Sequence, residues 1–365
     1  MRDTILVSGG AGFIGSNFIL GWVREKRSPV VNLDLLTYAG NPANLASVAN
    51  LASAEGVPLY RLEVGDIRDA RRVAGLLREV QPRAILHFAA ESHVDRSIAF
   101  PELFIRTNVL GTQILLDEAR RYWAGLGAAE KAAFRFLHVS TDEVYGPLGT
   151  GDQPFTEGAA YAPANPYAAS KAAADHLVRA YYRTWKLPVL ITNSSNNFGP
   201  YQFPEKLVPL ITLNALEGQP LPVYGDGLQS RDWLFVEEHC AALRGVLENG
   251  RVGETYHIGG QSERRNFDVV RAICELLDEM SPDPAIGPRR RLITFVEDRP
   301  GHDRRYALDA TKMARELGWR PSQDFDGGLR QTVRWYLDHP EWLEGVRTGA
   351  YLDWIRLNYT ERGAS

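Results

Sequence analysis

The strongest constraint on this chain lies in its first fifteen residues. A short apolar run, Ile5 to Ser8, passes directly into Gly9-Gly10-Ala11-Gly12-Phe13-Ile14-Gly15 and then into a segment of helical periodicity. Glycines at positions 9, 12 and 15 satisfy G-x-x-G-x-x-G, and those at 10, 12 and 15 satisfy G-x-G-x-x-G. Without Cβ atoms the turn is tight enough for backbone N–H groups and a helix N-terminus to approach a pyrophosphate. An acidic residue, Asp34, ends the next apolar run nineteen positions beyond Gly15, as a dinucleotide-binding βαβ unit requires. Its carboxylate suits the two ribose hydroxyls of an adenosine and repels a 2′-phosphate. With Leu35 and Leu36 following rather than Arg, NAD is expected in preference to NADP.

The pattern continues as a β-α alternation. Strands are expected at Ile5–Ser8, Val30–Asp34, Leu59–Val64, Ala84–Phe88, Phe136–Ser140 and Pro188–Thr192. Amphipathic helices are expected at Phe18–Arg27, Asp69–Val80, Ile105–Tyr122 and Tyr167–Trp185. This is the alternation of an α/β fold, a doubly wound parallel sheet of Rossmann type whose ligands sit at the carboxyl ends of the strands. After residue 195 the texture turns Asn-, Pro- and Gly-rich, which reads as a smaller C-terminal α/β substrate lobe. An apolar stretch from Trp233 to Gly260 signals a return to the first domain. The division expected is 1–195 plus about 233–260 for the NAD-binding domain, and 196–232 plus 261–365 for the lobe, with a frayed tail after Tyr359.

Bulk properties exclude several functions. With 365 residues, 44% apolar content and a formal net charge of -4, nothing favours nucleic acid or an anionic membrane as a partner. No leader pattern and no bilayer-length apolar run is seen, so a soluble cytoplasmic protein is expected. Cys240 and Cys274 stand apart in helical segments and read as buried apolar residues. The eight histidines form no i,i+4 pair, and no metal is expected.

Strand ends add further site residues. Asp66 and Ile67 follow the third strand, where Asp66 either meets an adenine amino group or caps the helix after it. Phe88, Ala89 and Ala90 follow the fourth, small enough to let a cofactor pass. Asn165-Pro166-Tyr167 reads as a helix start with Asn165 as N-cap, which puts Tyr167 and Lys171 on one face. A Tyr-x-x-x-Lys is common on helix surfaces. Behind a glycine loop it reads instead as a phenol whose ionisation is assisted by an ammonium, and that ammonium can also bond a nicotinamide ribose. The fifth strand ends in Thr141-Asp142-Glu143. Either Asp142 caps a turn and Glu143 is solvated, or two carboxyls share a pocket, one pKa rises, and an acid stands beside a base as elimination of water needs.

Gly9 to Gly15 together with Tyr167 and Lys171 resembles the extended short-chain dehydrogenase/reductase family over nearly the whole chain. Thr141-Asp142-Glu143 is similar to the signature of its nucleotide-sugar 4,6-dehydratases, as are the stretches Ala89–Ser97, Thr192–Tyr201 and Arg299–Tyr306. Leu35, Ser194 and Phe198 depart from that pattern, in which Lys, Cys and Tyr are common at the three places. The resemblance implies Tyr167 as base and Thr141 as the group holding the reacting hydroxyl, and extends the cofactor's neighbours to Leu35, Thr37, Ser92, Thr107 and Asn197. It also implies a nucleotide clamp from Asn196, Lys206, Leu207, Pro222, Tyr224, Arg231, Asn266, Arg299 and His302, with Ser92 and Thr141 meeting the sugar. His302 equally suits a turn. The implied substrate is a nucleoside diphosphate glucose, thymidine or uridine being left open, and the implied state is a homodimer joined through the Ile105–Tyr122 and Tyr167 helices. Epimerases and decarboxylases share the fold. A non-catalytic NAD-sensing scaffold has no need of Tyr167 or Lys171, and both are present.

Overall fold

Parallel strands covered by helices on both faces must be apolar at nearly every position, and the runs picked out above meet that demand. The computed structural model describes residues 3–346, apart from Arg27, Glu55 and residues 299–301. Arg299 and the expected tail after Tyr359 therefore lie outside the described residues. Twelve strands are seen among the described residues: β1 (Ile5–Ser8), β2 (Val30–Asp34), β3 (Tyr60–Val64), β4 (Ala84–His87), β5 (Arg135–Thr141), β6 (Val189–Ser194), β7 (Asn196–Phe198), β8 (Leu221–Tyr224), β9 (Ser230–Phe235), β10 (Thr255–Ile258), β11 (Glu263–Arg265) and β12 (Ile293–Val296). Seven form one sheet in the order β3-β2-β1-β4-β5-β6-β10, every pair parallel. β1, β2, β4, β6 and β10 are buried throughout. The strand order reverses between β1 and β4, which opens a crevice at their carboxyl ends.

One face of the sheet packs against helices Phe13–Lys26 and Val236–Asn249, through Phe18, Trp22, Leu243 and Leu247. The other packs against Ala70–Val80, Thr112–Ala124 and Pro166–Trp185, through Leu76, Leu116 and Val178. Cys240 and Cys274 are buried free thiols in two of the hydrophobic clusters, as expected.

The α/β architecture with a smaller lobe is as expected, and the six expected strands appear within two residues of their expected ends. Three local readings change. The first helix begins at Phe13 rather than Phe18, because the chain is helical as soon as it leaves Gly12. The Ile105–Tyr122 helix is wound as π-helix over Ile105–Gly111 before becoming α-helix at Thr112–Ala124. There Asn108 is held from outside: its side chain accepts from Glu91 N (2.8 Å) and donates to Glu91 O (2.9 Å) and Ser170 Oγ (2.8 Å), a local irregularity of the kind often found at functional sites. Finally, the return to the large sheet falls after Phe235 rather than at Trp233. β9 pairs with β7 and β11 in a separate sheet, because Trp233 and Phe235 pack with Phe198 and Phe325 in the lobe's own core.

That lobe core is fastened by Arg289, whose side chain is 1% exposed. Its guanidinium donates to Ala215 O (3.1 Å), Leu277 O (3.1 Å) and Ser281 O (2.6 Å), carbonyls at the C-terminal ends of helices Leu207–Leu216 and Asn266–Met280, and pairs with Asp278 at 3.0 Å. A fixed cation there satisfies orphan carbonyls and opposes both helix dipoles. Arg289→Met is expected to destabilise the protein by about 3 kcal/mol, since several buried acceptors are orphaned at once. Arg289→Lys, which lacks the planar fork, should recover only part of that loss in denaturant titrations.

Candidate active site

Two adjoining cavities open at the carboxyl ends of the large sheet, one over the β1–β4 crevice and one between it and the lobe. Both are lined by Glu143, Asn196, Asn197, Gln202, Glu205 and Lys206.

The first cavity begins at the glycine loop. Gly9 has φ 75°, and a Cβ on it would stand 2.5 Å from the backbone nitrogen of Ala89, so only glycine lets β1 and the segment after β4 approach so closely. Gly12 differs: a Cβ there would meet only Gly9 O, at 3.4 Å, and the residue lines the cavity. The loop thus reserves space beside the N-terminus of helix Phe13–Lys26, which fits a dinucleotide's pyrophosphate. Asp34 is buried, and its two carboxylate oxygens accept from Ala11 N and Leu36 N, both at 2.8 Å. Burial raises its pKa, and those two backbone bonds oppose the rise.

Of the residues expected around a cofactor, Gly9, Gly12, Phe13, Ile14, Gly15, Asp34 and Thr37 line this cavity from one side. Phe88, Ala89, Ala90, Ser92, Tyr167, Lys171 and Asn197 line it from the others. Four do not come to it. Leu35 is 45% exposed. Ile67 is buried in the core against Gly111, as its place after a covered strand dictates. Thr107 is half-buried on the π-helical stretch and lines neither cavity. Asp66 is engaged by Arg68 through both carboxylate oxygens, Arg68 Nη2 lying 2.6 Å away; burial pushes its carboxyl up and the guanidinium outweighs this, holding it low. The N-cap of helix Ala70–Val80 is Asp69, not Asp66.

At the far end stand the reactive groups. Asn165 caps helix Pro166–Trp185 by accepting from Ala168 N at 2.8 Å, and its Nδ2 donates to Glu143 Oε2 at 3.1 Å, so one side chain starts the helix and steadies a carboxylate of the neighbouring turn. Thr141, at the end of β5, caps the short turn Asp142–Tyr145, so of the two readings of Asp142 the turn cap falls away, its place being one residue earlier, and Asp142 itself is buried. Burial and then the charge of Glu143 push the Asp142 carboxyl up to about 8, against the pull of Arg231 and the bond from Thr141 Oγ1 at 3.2 Å. Adjacent carboxyls sharing a pocket are thus split, one of them protonated at neutral pH.

Tyr167 and Lys171 share the cavity wall, as the four-residue spacing predicts. The protein by itself does not favour the phenolate: burial and then Glu143 raise the Tyr167 phenol, while a hydrogen bond with Thr141 lowers it. Lys171 Nζ donates to Val139 O at 2.8 Å, and burial draws its pKa down to about 8.

The second cavity gathers the expected clamp. Asn196, Lys206, Leu207, Pro222, Tyr224, Arg231, Asn266 and His302 all line it. Arg231 is nearly buried and anchored by donating to Ser230 O and Asp303 O, both at 2.8 Å. His302 lines the cavity and also bonds Asp298 at 2.6 Å, so both readings of it hold. Sequence reasoning overlooked Gln202 and Glu205, which line both cavities. Buried Glu205 accepts from Tyr38 OH (3.0 Å) and Arg96 Nε (3.3 Å), tying the loop after β2 to the lobe. The available signal was their place in the Asn-rich connection after β6, at a strand's carboxyl end.

The family model described as GDP-mannose 4,6 dehydratase matches residues 6–332. The chain belongs to that family. Among its relatives is a dTDP-glucose 4,6-dehydratase of Xanthomonas campestris pv. campestris, 58% identical over 348 residues that cover 95% of this chain and 97% of the relative. The enzyme of the same name from Salmonella typhimurium is 52% identical over 366 residues, covering 98% and 99%. A crystal structure of dTDP-glucose 4,6-dehydratase from Bacillus anthracis in complex with NAD superposes with a TM-score of 0.81 at 43% identity, covering 94% of this chain and all of that one. The resemblance expected from the glycine loop, Tyr167 and Lys171 is borne out.

The loop after Asp34 carries Leu35 and Leu36 and no arginine to receive a 2′-phosphate. Titration of the stripped protein should show 2′-phosphorylated dinucleotide binding at least tenfold more weakly than the unphosphorylated form. Asp34→Ala should narrow that ratio; equal affinities in the wild type would refute the assignment.

Proposed function

We propose that this chain converts dTDP-glucose to dTDP-4-keto-6-deoxyglucose and water, using NAD as a recycled redox group. One observation carries the reading: Asp142, buried and with its carboxyl pushed up, adjoins Glu143, which lines both the glycine-loop cavity and the one holding Lys206 and Arg231. Epimerisation at C4 needs no such pair. Relatives named dTDP-glucose 4,6-dehydratase, at 52% and 58% identity, support thymidine over uridine.

NAD held by the glycine loop, Asp34 and Lys171 supplies an acceptor and later donor of hydride, and its oxidised form brings a positive charge that favours ionised Tyr167. Tyr167 takes the proton of the C4 hydroxyl, with Thr141 holding that hydroxyl, while the C4 hydrogen leaves as hydride. The new C4 ketone acidifies C5. Glu143 removes the C5 proton and Asp142 gives its own proton to the departing C6 hydroxyl, releasing water and leaving a C5–C6 double bond. Hydride returned to C6 and a proton returned to C5 from Glu143 complete the product. Lys206, Arg231 and Arg299 supply cations for the diphosphate, Arg in a form suited to bidentate contact. Ser92, Asn196, Leu207, Pro222, Tyr224, Asn266 and His302 complete the nucleotide-sugar site.

The same reading divides the chain into 1–195 plus 236–260, holding the cofactor, and 196–235 plus 261–365, holding the nucleotide; β10 in the large sheet and β9 in the lobe's own sheet support this. It is a cytoplasmic homodimer. No helix among the described residues is long and apolar enough to cross a membrane. The exposed Ile105 and Leu110, together with Trp185, offer apolar surface on the helices expected to meet a partner, and the exposed Ile98, Phe100 and Leu103 extend it just before them. Equilibrium sedimentation should report a dimer for the wild type and a shift toward monomer for Ile105→Arg/Leu110→Arg.

Asp142→Asn and Glu143→Gln should still show the absorbance of reduced nicotinamide on mixing with dTDP-glucose, yet release 6-deoxy product about 10²–10⁴-fold more slowly. In the wild type, elimination should fall as pH rises through about 8, where Asp142 loses its proton. Asp142→Asn should lack that limb. Turnover in deuterated water should leave one deuterium at C5. A C4 epimer that keeps its C6 hydroxyl and carries no C5 label would overturn the assignment.

A further inference from the structure

Behind Lys171, away from both cavities, lies a charged residue that the reaction above does not use. Asp175 is one helical turn beyond Lys171, wholly buried, and lines neither cavity. Its Oδ2 accepts from Tyr161 OH at 2.7 Å and from Asn193 Nδ2 at 3.1 Å, and its Oδ1 lies 3.2 Å from His138 Nε2. Asn193 Nδ2 also donates to Thr141 O at 3.0 Å. One carboxylate thereby joins the helix carrying Tyr167 and Lys171 to β5, to β6 and to the loop before the helix.

We propose that Asp175 is a positioning residue of this site: its buried carboxylate keeps Lys171 charged and holds the Tyr167 helix in register with the Thr141 end of β5. A buried ammonium without a nearby anion surrenders its proton, since an unpaired charge is costly in the interior. Val139 O is a neutral acceptor and only lessens that cost. The other groups facing Lys171 do not replace the anion. His138 on β5 and His87 on β4 are both kept uncharged, by burial first. Asp142 and Glu143 lie on the cavity side, where they act on Tyr167, Glu143 more strongly than Asp142. Burial alone would raise the Asp175 carboxyl, but His138, the Lys171 ammonium and Tyr161 together hold it low, so it is ionised throughout the working range.

The inference rests on the reading of Tyr167 and Lys171 as the hydride-transfer pair, but its two deciding tests, the Lys171 midpoint and the double variant, do not need turnover. Asp175→Asn keeps the shape and removes the charge. Competitive labelling of the full chain with acetic anhydride, read by peptide mass, gives the pH midpoint of Lys171. That midpoint should fall by roughly 1–3 pH units in Asp175→Asn, the span expected for loss of an opposite charge one helical turn away in a buried setting. The alkaline limb of C4 oxidation should move the same way with little change in KM, whereas a purely structural defect would lower the amplitude without moving the limb. If Asp175→Asn does not fold, Lys171→Met/Asp175→Asn, neutral at both places, should fold and melt above either single variant, because it leaves no lone buried charge. An unmoved Lys171 midpoint in folded Asp175→Asn, or additive losses in the double variant, would overturn the assignment of Asp175. Loss of dehydratase chemistry in the wild type would instead overturn the proposed function and leave both measurements standing.

Discussion

The cleft is organised by the close approach of two backbones where β1 and β4 part. Gly9 lies so near Ala89 that a Cβ would meet the Ala89 nitrogen at 2.5 Å, with φ in the left-handed region that glycine tolerates. That contact lets the chain leave β1, turn beneath the segment after β4 and enter helix Phe13–Lys26 without a gap. It fixes where the helix N-terminus points. Every other strand end, from Asp34 to Thr141, is placed relative to it by the parallel register.

A second requirement follows from burying an enzyme's polar parts beside a parallel sheet. Asn108, Asn165 and Asn193 each reach across from one element to another, giving a buried backbone or side-chain group its partner. His87 is bonded on both ring nitrogens, to Ser8 Oγ and Thr112 Oγ1 at 2.8 Å each. In a low-dielectric interior an unmet donor or acceptor costs on the order of 1–3 kcal/mol, so such cross-links specify one arrangement of helices against strands. The reactive residues benefit directly: Glu143 is held by a helix cap, and Thr141 by the asparagine that also meets Asp175.

Much of this was legible in the chain. Strand positions followed from short apolar runs, and the Asn165 cap and Tyr167–Lys171 face followed from local chemistry. The residues gathered around the second cavity were named through resemblance rather than periodicity. Asp66 and Ile67 do not line the first cavity, because position after a strand says which end of the sheet a residue occupies, not which way its side chain turns; Leu35 and Thr107, named through resemblance, do not line it either. Ile67 turned to the core, and Asp66 found Arg68 two residues away. Glu205, Gln202 and Asp175 were overlooked because their partners lie far along the chain: Glu205 meets residues 38 and 96, and Asp175 meets residues 138, 161 and 193.

The amino-acid sequence by itself determined the doubly wound sheet, the glycine turn, the acidic end of β2 and the pairing of Tyr167 with Lys171. All of these depend on residue type and spacing within one or two elements. Tertiary structure alone decided the ionisation of the site. Whether Asp142 holds a proton, whether the Tyr167 phenol is eased or opposed, and whether Lys171 has a counter-charge depend on burial and on charges brought together by strand order. Desolvation and Coulomb energy act through space, and no spacing along the chain encodes them until the sheet has closed around the groups concerned.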